Sequence, residues 1–205
     1  MCFNLKRVGV VCEGPTEVNF IKLLSNRHFY PNYSIQLFPT NLGGHVSVER
    51  VAREVDRMKA YPVVTMFVDY YGLEKQHNRT ATEIEADIKA KVNLENFIPY
   101  LQMHETEALW FSDIDILSKT LSVTPQQKSQ LQQALDEATG EPEKINNSWE
   151  TAPSKRLEKI IPKYKKTTNG QQIASALSLE TIQARCPRFK AWLTNIKTTV
   201  DEVCR

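Results

Sequence analysis

The chain has 205 residues, 41% hydrophobic and 24% charged, enough to bury a full core as one large domain or one domain with an appendage, which excludes disorder as its default state. No run of about 18 apolar residues exists, and the start MCFNLKRVGVV lacks the apolar segment and cleavage site of a secretory signal, so a cytoplasmic protein with no membrane span is expected. The net charge of +2 conceals an asymmetry: residues 1–150 carry 15 Lys and Arg against 20 Asp and Glu, residues 151–205 carry 11 against 4, and the basic tail suits a polyanionic partner or a plain solvated surface.

Val8 to Cys12 is an apolar run that reads as a buried strand, and Thr16 is expected to cap a following helix with Phe20, Ile21, Leu23 and Leu24 at helical spacing. SIQLFP, 34–39, suits a second strand. The glycine-rich NLGGH then leads into a helix with Val48, Val51, Ala52, Val55 and Met58 on one face. VVTMFVDYYG, 63–72, gives a third strand, β-branched and apolar, that ends at Asp69. Thr80 with Glu83 forms a capping box opening a helix to about Val92, and NFIPYLQMHE, 96–105, supplies a fourth apolar run.

Beyond Phe111 the alternation stops. Residues 113–139 and 171–203 read as helical, separated by GEPEKINNSWETAPSK, a polar, proline-bearing stretch expected to be a long surface loop. Cys2, Cys12, Cys186 and Cys204 form no C-x-x-C pair, so reduced structural thiols are expected rather than a zinc site or a disulfide framework. Strands alternating with helices imply βαβ units: an α/β fold with a mainly parallel sheet flanked by helices and right-handed crossovers. The expected organisation is an α/β core at 1–112 and a helical C-terminal extension at 113–205 packed on it, or the two merged as one domain.

Glu13, Asp69 and the pair Glu105/Glu107 each stand at the expected carboxyl end of a different strand, which is where open parallel sheets bind ligands. Acids gathered there without evident cationic partners repel one another, so either one holds a proton or a hard divalent cation sits between them. Acids at strand ends also cap helices and face solvent, and that reading stays open beside the first. Mg²⁺ takes oxygen ligands and commonly joins one or two carboxylates to substrate phosphates, which points to phosphoryl-transfer chemistry. Gly14 would let the backbone turn close to the metal, and a helix beginning near Thr16 would offer free N–H groups to a phosphate. No P-loop G-x-x-x-x-G-K-[ST] is present, which argues against a Walker-type ATP site.

CEGPTE after a buried strand, the aspartate closing a strand in MFVDYYGL, the segment FIPYLQMHETEALWFSD and the tail pieces ETAPSKRL and CPRFKAWL resemble an uncharacterised bacterial family, domain-of-unknown-function family 4276, over nearly the whole chain. The resemblance implies a Toprim-like (Rossmannoid) fold, similar to the metal-binding fold of topoisomerases, primases, small-RNA maturases and the nucleases of the overcoming-lysogenisation-defect group. It also implies a gene neighbourhood shared with an ATPase in phage-defence or mobile loci, and hence an AAA- or ABC-type ATPase as an expected partner.

Carried over by that resemblance, Glu13 is the acid after the first strand, a metal ligand or general acid/base, and Asp69 is the first aspartate of the D-x-D metal pair. The second aspartate position holds Tyr71, and a phenol is a poor Mg²⁺ ligand at neutral pH. Glu105 is expected to replace it, giving a catalytic and metal-binding set of Glu13, Asp69 and Glu105 with Mg²⁺ or Mn²⁺. Glu107 joins only if the backbone stays extended through it, because residues two apart share a face in a strand but lie about 200° apart in a helix. The alternative is that ETEALWF opens an amphipathic helix whose acids favour its positive end.

Around this set, Glu17 points at the site or favours the helix dipole, and His104 is a proton shuttle, a metal-site neighbour or a hydrogen-bonded structural histidine. His45 approaches the cleft or belongs to a plain turn, and Tyr70 and Tyr71 stack on a base, bond a phosphate or pack on a helix. The segment KRLEKIIPKYKK places Lys155, Arg156, Lys159, Lys163, Lys165 and Lys166 around Tyr164, suiting phosphate-backbone contact or a solvated helix and loop. The leading expectation is Mg²⁺-dependent phosphodiester cleavage of a nucleic acid of unknown type. A non-catalytic partner subunit of the ATPase is the alternative, a homo-oligomer is open, and no membrane partner is expected.

Overall fold

The computed structural model describes residues 5–73, 79–146 and 148–204 of the chain, so Cys2 lies outside the described residues. The chain divides into two compact units, Met1–Leu101 with Ala191–Arg205, and Gln102–Lys190. The final stretch of chain, Ala191–Arg205, thus groups with the first unit rather than with the helices before it. Cys12, Cys186 and Cys204 are free thiols, the first two buried. Among the described residues no helix is long and apolar enough to cross a membrane.

The first unit runs β1 (Lys6–Cys12), α1 (Pro15–Leu24), a π-turn at Ser25–Phe29, α2 (Tyr30–Tyr33), β2 (Ile35–Asn41), α3 (Val48–Arg57), β3 (Val63–Asp69), α4 (Ala81–Lys91) and β4 (Phe97–Ile98), and the short β5 (Leu101–Gln102) falls at its boundary. The sheet order is β2-β1-β3-β4, with β5 also paired to β3. Every registered pair is parallel: Cys12 lies opposite Asn41 on one side and Phe67 on the other. β3 is buried along its whole length, as its unbroken run of apolar residues requires of a central parallel strand.

Side chains alternate across a strand, so Gly9 and its partner Val64 share one face of the sheet while Phe67 takes the other. Met58 and Tyr61, just beyond the end of α3, cover the Gly9 side. Phe20 of α1 packs on Phe67, ring centroids 5.6 Å apart. The sheet is thus sandwiched between helices on both faces, and α1 and α3 serve opposite ones. The expected capping box opens α4: the Glu83 carboxylate accepts from Thr80 N at 2.7 Å and Thr80 Oγ1 accepts from Glu83 N at 3.3 Å.

α1 starts earlier than the sequence suggests. Gly14 is its N-cap, Pro15 takes the first helical position, where its fixed φ is already helical, and Thr16 lies within the first turn.

The second unit begins with a fully buried 3₁₀ helix, Thr106–Ser112, and continues with α5 (Ile114–Leu121), α6 (Pro125–Glu137), α7 (Pro153–Ile160), α8 (Lys166–Ala176) and α9 (Leu179–Arg185). α10 (Pro187–Val203) starts here and ends in the first unit. Trp110, Phe111, Leu117, Leu131, Leu157, Ile173 and Phe189 form the core of this unit. The stretch 140–155 is not the surface loop expected from its polar composition. It contains 3₁₀ turns, buries Ile145 and Ala152, and places the Glu143 carboxylate on the backbone N–H groups of Arg188 and Phe189 at 3.0 and 3.1 Å. A buried carboxylate thereby meets the orphan donors in the first turn of α10.

Candidate metal centre and its surroundings

β1 lies between β2 and β3, so the connections leaving β1 and entering β3 diverge. The crevice between their carboxyl ends is the topological switch point, the place where open parallel sheets bind ligands. Glu13 is the residue after β1 and Asp69 is the last residue of β3. Because Cys12 pairs with Phe67, these two acids emerge from neighbouring strands at the same end of the sheet.

The surrounding loops fix the Glu13 backbone. Gly43 N and Gly44 N donate to the Glu13 carbonyl at 3.0 and 3.2 Å, and Leu42 N donates to Cys12 O at 2.9 Å. Gly43 and Gly44 both sit at positive φ, 76° and 79°, which is what brings two successive N–H groups onto one carbonyl and what only glycine adopts at low cost. Arg50 ties this left-handed loop down by donating to the carbonyls of Leu42, Gly44 and His45. His45 is exposed, at φ 50°, and belongs to that turn.

After β3 the chain enters a 3₁₀ turn, Tyr70–Gly72, and Leu73 makes a parallel bridge with Val46. A β-carbon placed on Gly72 would overlap the Glu13 carboxylate, so that side chain lies directly against the Gly72 backbone. Asp69 is buried and Glu13 half-buried. Tyr70 donates from its hydroxyl to Arg79 O at 2.6 Å, and Tyr71 packs on Tyr70 with ring centroids 5.8 Å apart. Tyr71 therefore stands in the expected second-aspartate position as a packed ring.

Gly14 is extended, at φ −147°, so it is not there for a left-handed turn. Its N–H donates to Glu17 Oε2 at 2.9 Å, and the buried Glu17 carboxylate thus closes the start of its own helix. Burial, helped by the Glu17 charge, pushes the Cys12 thiol well above its ordinary range, so Cys12 is an inert core residue.

The second unit holds a different group. Glu105 caps the 3₁₀ helix, and its carboxylate accepts from Ser154 N at 2.8 Å, Ser154 Oγ at 2.9 Å and Lys166 Nζ at 3.3 Å. Lys166 Nζ also lies 3.3 Å from Glu107 Oε2, and the Glu107 side chain is about 1% exposed. The backbone is helical, not extended, through Glu107. One ammonium on a flexible stem nevertheless meets both acids. Tyr164 is buried, and burial, followed by the Glu107 charge, raises its phenol above the ordinary range, so it is a neutral core ring rather than a stacking platform. Burial lowers the His104 pKa to about 4 against the opposing pull of Glu105, which favours the neutral imidazole at neutral pH.

Among the described residues no three of His, Cys, Asp and Glu converge as a metal cage. Glu13 and Asp69 bring hard oxygen donors, the donor type that Mg²⁺ takes, to the ends of neighbouring strands. Glu105, expected as a third ligand, already has both oxygens engaged and a lysine beside it.

The family model described as Domain of unknown function (DUF4276) matches residues 12–197, which includes Glu13, Asp69 and Glu105. The chain belongs to the DUF4276 family. No curated protein matches it. It is similar to the C-terminal region of the Xanthomonas campestris pv. campestris OLD protein phased with mercury, at 13% identity and a TM-score of 0.52, covering 100% of this chain and 98% of that one. The same region phased with iodine gives 15% identity and a TM-score of 0.48, covering 98% of each chain. The fold is Toprim-like: a mostly parallel sheet with flanking helices and a helical C-terminal region.

In this DUF4276 member the six cations of 155–166 fall into two groups. Lys155, Lys159, Lys163 and Lys165 are exposed. Arg156 bonds Glu137 at 2.8 Å and Thr151 O at 2.9 Å, and Lys166 is held by Glu105 and Glu107. Lys155, Arg156 and Lys159 line a cleft of about 300 Å³ beside Gln130, Gln133 and Glu150. Sequence reasoning missed Gly72 and the Ser154–Glu105 contact. Of the two only Gly72 carries a local signal, a glycine three residues after the strand-end aspartate.

Proposed function

We propose that this DUF4276 protein is a divalent-metal-dependent, nuclease-type phosphodiesterase acting on nucleic acid. What supports the reading is the placement of Glu13 and Asp69 at the carboxyl ends of adjacent central strands, with the Glu13 carboxylate lying against the Gly72 backbone. The Toprim-like fold and the likeness to the OLD C-terminal region support it. Glu13 and Asp69 would hold Mg²⁺ or Mn²⁺. Bound there, the ion would polarise a phosphodiester and lower the pKa of a bound water. The chain contributes fixed geometry, because Gly43 and Gly44 pin the Glu13 backbone and Asp69 is buried; separately, the exposed lysines of 155–165 would add electrostatic attraction for a phosphate backbone. Glu105 is left out of the ligand set because Ser154 and Lys166 occupy it.

Family resemblance adds a role in phage defence or a mobile element, with an ATPase partner and a homo-oligomer as further proposals. A second reading, a non-catalytic subunit that docks on such an ATPase, is favoured by one observation: Tyr71 occupies the second-aspartate position and packs on Tyr70.

Calorimetric titration of Mg²⁺ and Mn²⁺ into the wild-type protein, Glu13→Gln and Asp69→Asn, followed by cleavage assays on DNA and RNA, tests the choice. Metal binding that disappears in both variants, with metal-dependent cleavage by the wild type, is the expected result. Wild-type protein that binds no metal with nucleic acid present would leave the non-catalytic reading.

A further inference from the structure

We propose that Gly72 is a positioning residue whose missing β-carbon holds the Glu13 carboxylate in the strand-end crevice; this rests on the metal-site reading above. A glycine usually marks a backbone that other residues avoid, as Gly43, Gly44 and Gly140 do here at φ 75–79°. Gly72 is not of that kind. It lies in a 3₁₀ turn outside the left-handed region, where the backbone conformation itself is open to alanine. The three atoms nearest to a β-carbon at Gly72 would be Oε2, Cδ and Oε1 of Glu13. Space for one carboxylate is the physical reason for glycine at this position.

The surroundings decide how the conflict in Gly72→Ala would be relieved. The turn cannot readily recoil, because Leu73 bridges Val46 on one side and Tyr70 is tied to Arg79 O on the other. The Glu13 backbone cannot withdraw either, because its carbonyl accepts from Gly43 and Gly44. What remains is rotation of the Glu13 side chain about its own flexible bonds. Gly72→Ala should therefore leave the fold in place and push the carboxylate out of its place against residue 72.

The test is Mn²⁺ binding by calorimetry to wild-type and Gly72→Ala protein, with urea unfolding of Glu13→Ala, Gly72→Ala and the double variant as a cycle. Wild type should bind Mn²⁺ and Gly72→Ala should bind about 10- to 100-fold more weakly, the range seen when a residue that orients a metal ligand is removed. Any stability change caused by Gly72→Ala should disappear in the Glu13→Ala background, where the overlap no longer exists. A merely structural glycine would give the same change in both backgrounds. Unchanged Mn²⁺ affinity in Gly72→Ala, with wild type binding, would overturn this inference alone. Wild-type protein that binds no Mn²⁺ would overturn the metal reading instead, and the cycle would still report whether residues 13 and 72 compete for one space.

Discussion

The indole Nε1 of Trp192 donates to Thr65 Oγ1 at 2.8 Å, and that hydroxyl donates onward to the Ile98 carbonyl at 2.7 Å. One buried hydroxyl thus joins the last helix to β3 and to the backbone of β4. Trp192 also stacks on Tyr100 at 4.9 Å and packs on Phe67 at 5.2 Å, so the final helix completes the face of the sheet that α1 only partly covers. Thr65→Val keeps the shape and removes the link, leaving a buried indole N–H without its acceptor. A loss of about 2 kcal/mol is expected. Urea unfolding of Thr65→Val beside Thr65→Ser, which keeps the hydroxyl, checks it, and equal losses in the two would mean that packing rather than the hydrogen bond holds the helix.

That return of the chain explains what can and cannot be read in advance. β1, β3 and α4 are legible because their signals are local: an apolar run rich in valine, or a Thr80–Glu83 pair three residues apart. Trp192 and Thr65 are 127 residues apart and nothing near either names the other. The stretch 140–155 misleads for the same reason. Its composition is polar, yet Glu143 and Ser154 direct that polarity to partners more than 40 residues away in sequence.

The His104 imidazole should make stability depend on pH. Its pKa falls from the ordinary 6.5 to about 4 in the folded chain, chiefly through burial. Between those values the unfolded chain binds more protons, so stability falls as pH drops from about 6.5 toward 4. His104→Gln should flatten this part of the profile. Glu143, whose pKa burial raises, slopes the other way, so the difference between wild type and His104→Gln in urea midpoints across pH 4.5–7 is the quantity to measure. Parallel profiles would mean that the half-buried His104 is not desolvated enough to shift its titration.

Glu105 reads from the sequence as a metal ligand, and its partners are out of reach of that reading: Ser154 lies 49 residues on and Lys166 lies 61. The predicted consequence is a stability effect. Glu105→Ala removes the acceptor at the start of α7 and deprives Lys166 of one of its two carboxylates, which should cost about 3 kcal/mol. Glu105→Gln, which keeps an acceptor oxygen, should cost less. Thermal and urea unfolding of both variants, beside Mn²⁺ titration, separates the roles: full stability without metal binding in Glu105→Gln would return Glu105 to the ligand set.

The basic segment makes the last prediction, because its six cations should answer to different measurements. Lys159, Lys163 and Lys165 are exposed, and Lys155 is exposed with a partner, Glu158 at 3.0 Å, whose attraction across water is weak. If these lysines meet phosphates, neutralising any one of them lowers the slope of log affinity against log salt by about 0.7–0.9. Lys159→Gln with Lys163→Gln should therefore reduce that slope by about 1.5 while leaving stability within about 0.5 kcal/mol of wild type. Arg156 and Lys166 are tied to Glu137, Glu105 and Glu107, so Arg156→Gln and Lys166→Met should lower stability first. Fluorescence-anisotropy titrations of single-stranded and duplex oligonucleotides at several salt concentrations, with urea unfolding of the same variants, check both halves. A slope untouched by the exposed lysines would place the nucleic-acid interface elsewhere on the protein. A slope reduced equally by Arg156→Gln would mean that its bond to Glu137 opens when nucleic acid binds.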